Sequence, residues 1–319
     1  RLGLLHPVLD LRHPGLRTIA GMLGPIVVGS AAGQVAIFFD RFFASTLSPG
    51  YISGMNYATK IVGFPQQIFA AAIATVIFPL LASHFASANP AGVRRSVVTG
   101  LRLVNFITIP SACGLIVLAH PIVAALFERG QFQASATDLC AGLLPYAAIG
   151  LIGTAASVVL TRCCFASKRT RAAVAISVAA VVLNVVLSLL WIGPLGARGL
   201  LLANSLSQWF QASLLFVLVW RLSGGFARRT IFFSAARIVL CSAAMVAALH
   251  WIGTLTANEL PTAQRLGFLA GQLAIGGLVF LGSARLLGVQ ELAIAVRLLL
   301  SKFAGAVPSP SENLEAPIA

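Results

Sequence analysis

Charge is what this sequence has least of. Only 9% of its 319 residues are Asp, Glu, Lys or Arg, against about 25% in soluble domains. So few charges exclude a water-facing surface over the whole molecule. Acidic residues are the scarcer sign, 8 against 22 Lys and Arg, for a formal net charge of +14. That excess does not read as nucleic-acid binding, because the basic residues fall in short clusters between apolar runs. No basic stripe is interleaved with aromatics. Cysteine is sparse too. Cys113, Cys140, Cys163, Cys164 and Cys241 form no CxxC, and most fall in apolar runs, so they read as small buried hydrophobes. No Cys/His spacing suits a metal, and no cofactor is implied. The sequence also lacks a nucleophile–base pair, a phosphate-cradling glycine loop and paired carboxylates within its apolar runs. An enzyme is therefore not expected.

What is present is hydrocarbon. Hydrophobic residues make up 58% of the chain and mean hydropathy is +0.94. The apolar runs are continuous, whereas a membrane β-barrel needs alternating strands. Eight candidate spans lie near 18–46, 53–83, 97–127, 136–161, 172–193, 199–220, 232–255 and 264–287. Each is long enough to cross about 30 Å of hydrocarbon as a helix. The expected fold is all-α, a polytopic transmembrane bundle of about eight spans. Pro25, Pro65, Pro79, Pro110 and Pro145 interrupt several of them. Interruptions are tolerated where neighbours or a cavity satisfy the freed backbone groups, which favours a transporter over a static anchor.

The loops alternate in basic content. One side collects Arg1, Arg12, Arg17, Arg94, Arg95, Arg102, Arg162, Lys168, Arg169, Arg171, Arg221, Arg228, Arg229, Arg237, Arg285, Arg297 and Lys302. The other side collects only Arg41, Arg129, Arg198 and Arg265. Basic loops stay cytoplasmic, so both ends of the chain are expected there. Trp191, Trp220 and Trp251 sit at span ends, where aromatic belts form. Residues 289–303 read as an interfacial amphipathic helix, and 304–319 as a disordered, Pro-rich tail.

Lys60 is the one basic residue placed well inside a span. A charge at that depth costs roughly 3 kcal/mol on insertion scales. On a helix, Asn56, Lys60, Gly63 and Gln67 share one face. A polar face carrying a cation fits a water-filled cavity, and an anionic ligand, phosphate above all, fits the cation. Snorkelling of the Lys stem is the alternative. Gln34, midway along the first span, is expected to face the same cavity. Asp40 and Arg41 read as a local ion pair. Gly29 and Gly33, and again Gly267 and Gly271, are spaced for close helix packing. Asn184, Ser188 and Asn204 read first as interhelical hydrogen-bonding groups, and second as part of an oxygen cage for an ion.

The stretches GPIVVGSAAGQVAIFFDRFFAS and GYISGMNYATKIVGFPQQIFAAAIATVIFPLLASHFA resemble the seventh and eighth helices of the lipid II flippase (MurJ/MviN) family, part of the MOP exporter superfamily. IVAALFERGQF, YAAIGLIGTAASVVLTRCCFASKRTR and IGPLGARGLLLANSLSQW continue the likeness. It covers about residues 14 to 290. The resemblance implies the carboxy-terminal portion of a fourteen-helix transporter, helices seven to fourteen. Residues 1–17 would then be a cytoplasmic entry segment, 18–222 the second six-helix lobe, and 223–288 two additional helices. The implied activity is flipping of lipid II, an undecaprenyl-diphosphate-linked muropeptide, from the cytoplasmic to the periplasmic leaflet of the bacterial inner membrane. The implied partners are that lipid, membrane lipids and a first lobe of the same protein. By position, Lys60 stands where the family carries a cavity arginine, and Thr59 and Gly63 stand where acids often sit. Export of another polyprenyl-diphosphate-linked oligosaccharide is the alternative function.

Overall fold

A computed structural model describes residues 14–130, 132–255 and 262–294. Among the described residues there is no strand. The helices run in the order α1 (Pro14–Ser45), α2 (Tyr51–Pro65), a π-helical turn (Gln66–Ala70), α3 (Ala71–Ala86), α4 (Pro90–Val117), α5 (Ala119–Phe127), α6 (Ala134–Ala166), α7 (Thr170–Leu195), α8 (Ala197–Leu222), α9 (Arg228–Leu255) and α10 (Thr262–Leu286). Six of them, α4 and α6 to α10, are long and apolar enough to cross a membrane. The 32-residue α1 and the unit from Tyr51 to Ala86 stand where the first two expected spans lie, which is consistent with about eight. The protein is therefore a multi-pass membrane protein.

Two expected spans are not single helices. Between α2 and α3 the chain takes the π turn directly after Pro65. Proline has no N–H to continue the ladder and crowds the turn before it, and a one-residue widening absorbs the misfit. The expected 97–127 span breaks at Leu118 into α4 and α5.

Local signals set the helix boundaries. Asn89 caps α4 by accepting from the Gly92 N–H at 2.9 Å, with Pro90 next in line. This satisfies one of the helix's orphan donors. Gly196 ends α7 and begins α8 at φ +57°, a backbone conformation that a side chain disfavours.

The centre of the bundle is α6. It packs most extensively on α8 and also on α4, α2, α5 and α3. The closeness of α6 to α8 comes from two glycines. A Cβ at Gly153 would meet the backbone N of Trp209 at 2.9 Å, and one at Gly150 would meet Ser205 Cα at 3.0 Å. The spaced glycines expected to do this do not: Gly33, Gly267 and Gly271 have no neighbour within 4 Å of such an atom, and only Gly29 touches another helix, at Val174. Small residues permit close approach only on the face that meets a partner. Helix α7 has the highest mean hydropathy of these six helices, 2.6, yet little of its most apolar stretch is buried. Its remaining apolar surface is available to lipid.

The pair α9–α10 leans on α4 and α5. Val289 lies in the core and Glu291 is buried, so the start of the 289–303 segment is seated against the bundle. Its residues from 295 on, and the 304–319 tail, lie outside the described residues, as does most of the 1–17 entry segment.

Candidate functional site

Helices α1, α2, α6 and α8, with the π turn, line a partly open cavity of about 530 Å³. From α2 come Asn56, Thr59, Lys60 and Gly63, and from the π turn Gln66 and Gln67. Thus Asn56, Lys60, Gly63 and Gln67 do share one wall. Gln67 stays on it although the turn shifts the helical register. Gly63 and Gln67 are neighbours on that wall: a Cβ at Gly63 would stand in ordinary contact, 3.4 Å, with Gln67 Nε2. Thr59 donates its hydroxyl proton to the Met55 carbonyl of its own helix, so it adds little free polarity. Thr154 of α6, with Asn204 and Gln208 of α8, forms the facing wall. Asn204 therefore belongs to this cavity.

The α1 wall is short and carries Asp40 and Arg41. Gln34 is exposed and lies beyond it. Helix α1 packs mainly along α7 and little on α2, which leaves its earlier turns outside the cavity. The expected Asp40–Arg41 ion pair does not form. The Asp40 carboxylate instead accepts a hydrogen bond from Asn184 Nδ2 at 3.1 Å, because α7 lies on the Asp40 side of α1. Asn184 Oδ1 and the Ser188 hydroxyl, one turn further along α7, are buried and have no hydrogen-bond partner. Three oxygen-bearing side chains thus gather where α1 meets α7. Among the described residues, no group of three or more His, Cys, Asp or Glu is placed to hold a metal.

Two polar connections lie outside the cavity. In the turn between α5 and α6, Glu128 accepts from Arg265 Nη1 of α10 at 2.6 Å and from the Thr137 hydroxyl at 2.8 Å. These bonds hold its carboxyl below the usual carboxylate range. Arg102, counted above as a loop cation, lies within α4 and is 7% exposed. Its partner is Glu291. Sequence reasoning missed this pair and the Asp40–Asn184 bond, because nothing local marks partners 189 and 144 residues apart. A cue to the first was present, since Glu291 is an acid inside an apolar stretch.

The family model described as "Lipid II flippase MurJ" matches residues 1–267. The chain belongs to the MurJ lipid II flippase family. The probable lipid II flippase MurJ of Vibrio cholerae serotype O1 is 32% identical over 292 residues, covering 90% of this chain and 55% of that protein. The lipid II flippase MurJ of Burkholderia cenocepacia is 25% identical over 292 residues, covering 89% and 56%. The chain thus spans about half the length of the curated MurJ relatives it matches. Among solved structures, one described as "Lipid II flippase MurJ, inward closed conformation" superposes with a TM-score of 0.69 at 22% identity, covering 88% of this chain and 56% of that one. An outward-facing multidrug resistance MATE transporter of the MOP superfamily gives a TM-score of 0.53 at 17% identity, covering 88% and 69%. These likenesses show a MurJ-like, MOP-type fold.

Proposed function

We propose that this chain supplies one cation-bearing wall of the path by which lipid II crosses from the cytoplasmic to the periplasmic leaflet of the inner membrane. The observation that carries the reading is the placement of Lys60 with Asn56 and Gln67 on one cavity wall inside a membrane bundle. An ammonium in such a cavity attracts a phosphate-bearing head group, while the lipid tail stays in hydrocarbon. The amides of Asn56, Gln67 and Asn204 can hydrogen-bond phosphate or sugar oxygens without adding charge. Binding at a fixed central site that opens first to one side and then to the other is alternating access. The task is transport, and no residue of the cavity is assigned a covalent role.

The partners in this reading are lipid II, the surrounding lipids and a first lobe of the same protein closing the open side of the cavity. Both ends of the chain lie in the cytoplasm, as the basic loops require. Complementation tests the reading. The full-length gene should restore growth to a strain depleted of its lipid II flippase. Failure there, with rescue of an O-antigen or polysaccharide export defect, would move the substrate to another polyprenyl-diphosphate oligosaccharide.

A second role is favoured by the buried, unpartnered oxygens of Asn184 and Ser188 beside Asp40. Buried polar atoms are rarely left unpaired. A small hard cation such as Na⁺, which takes oxygen ligands, would satisfy both oxygens and the carboxylate. Its binding would give transport a dependence on that ion.

A further inference from the structure

We propose that Arg41 is a second anion-holding residue of the cavity, and that with Lys60 it selects a ligand with two linked phosphates over one with a single phosphate. The inference rests on the cavity being the substrate site.

Of the residues lining the cavity, three carry charge: Asp40, Arg41 and Lys60. The Asp40 carboxylate accepts from Asn184 of α7 and makes no ion pair with Arg41, so the cavity carries one more cation than anion. The ion pairs of the described residues are Arg102–Glu291, His120–Asp138 and Arg265–Glu128. Among the described residues, neither Arg41 nor Lys60 makes an ion pair or a hydrogen bond. Two cations without partners therefore face one space of about 530 Å³, one from α1 and one from α2. A cation without a counter-charge inside a membrane bundle is costly. An anion bound between them removes that cost, and a ligand of higher charge removes more of it.

The two side chains are not redundant. Guanidinium offers a planar fork that grips one phosphate through two hydrogen bonds. Ammonium is a compact point charge that can take the adjoining phosphate. A single phosphate satisfies one cation fully and the other only at a distance. A diphosphate satisfies both at once. The difference between the two ligands is then set largely by Arg41, because it provides the second, bidentate contact.

The test uses the full-length protein in nanodiscs, with a polyprenyl diphosphate and the matching monophosphate as probes. The two lipids share a tail, so the ratio of their affinities isolates the second phosphate. That ratio, taken within one preparation, is insensitive to any misfolded fraction. The wild type should prefer the diphosphate. Arg41→Gln should reduce that preference by about tenfold or more, in line with loss of a charge-assisted hydrogen bond. Arg41→Lys should fall between the two. Lys60→Gln should weaken both lipids. An unchanged ratio in Arg41→Gln, with weaker binding of both lipids to Lys60→Gln, overturns the role of Arg41 and leaves the cavity reading standing. Unchanged binding in both variants overturns the cavity reading itself, and this inference with it.

Discussion

The guanidinium of Arg102 meets the carboxylate of Glu291 at 2.5 Å, joining α4 to the segment that follows α10. Glu291 is 1% exposed. Ser234 of α9 donates to the same carboxylate oxygen, and Gln290 Oε1 accepts from Arg102 Nη2 at 3.1 Å. One buried cluster thus ties α4, α9 and the chain beyond α10 together. It anchors the additional helix pair at the end where Arg94 and Arg95 also lie.

Breaking that pair from one side strands a charge. Glu291→Leu should therefore destabilise the protein by about 3–5 kcal/mol, the range for a buried pair that loses one partner. Replacing both, Arg102→Met with Glu291→Leu, should cost much less, because no lone charge remains. Melting temperatures of the solubilised full-length protein would show it. Equal losses in the single and double variants would mean that the charge pairing is not what matters there.

The turn between α5 and α6 should respond to acid. Glu128 titrates below its ordinary value because Arg265 and Thr137 hydrogen-bond its charged form. A carboxyl lowered in the folded state adds stability above its unfolded-chain value, about 4.5. That stability is lost as pH falls through the lower folded value. The wild type should out-melt Glu128→Gln at pH 6, and the gap should close as pH drops below about 4. A gap that persists unchanged into acid would remove this account of the Glu128–Arg265 contact.

Two helix glycines, one in a tight contact and one in open space, should behave oppositely. Gly153→Ala drives a methyl into the α8 backbone at Gln208 and Trp209, and overpacking of that kind costs roughly 1–3 kcal/mol. Gly271→Ala meets open space and should stay within about 0.5 kcal/mol of the wild type. Thermal melting separates them. Equal effects would show that α6 and α8 are not closely packed at Gly153.

What the sequence revealed and what it hid follow from the range of the interactions. Continuous apolar runs mark the membrane-spanning helices, since hydrocarbon must be matched residue by residue. The helical spacing of Asn56, Lys60, Gly63 and Gln67 marks the cavity wall, since neighbours on one helix face are set by local geometry. The π turn after Pro65 was signalled only by the proline, and that signal does not distinguish a kink from a widened turn. The partner of Asp40 was misread because the adjacent Arg41 is the obvious choice in sequence. Packing of α1 on α7 gave Asp40 to Asn184. Gln34 was placed in the cavity by its span alone, and the lean of α1 took it out.

The oxygen cluster at Asp40, Asn184 and Ser188 makes a prediction about salt. A ligand that binds only the folded state raises its melting temperature with concentration. Replacing choline chloride by sodium chloride at equal ionic strength should raise the melting temperature of the wild type. The same exchange should do nothing for Asn184→Ala or Ser188→Ala. A sodium effect that survives both substitutions would place the ion elsewhere.

The most direct test of the central claim is the rate at which lipid II changes leaflet in vesicles containing the full-length protein with Lys60→Ala. Losing a charge-assisted contact of about 1.5–3 kcal/mol should slow transport by roughly tenfold or more. Melting temperature should stay near that of the wild type, since Lys60 makes no ion pair or hydrogen bond among the described residues. Transport at the wild-type rate by Lys60→Ala would contradict the assignment of this cavity as the substrate's path.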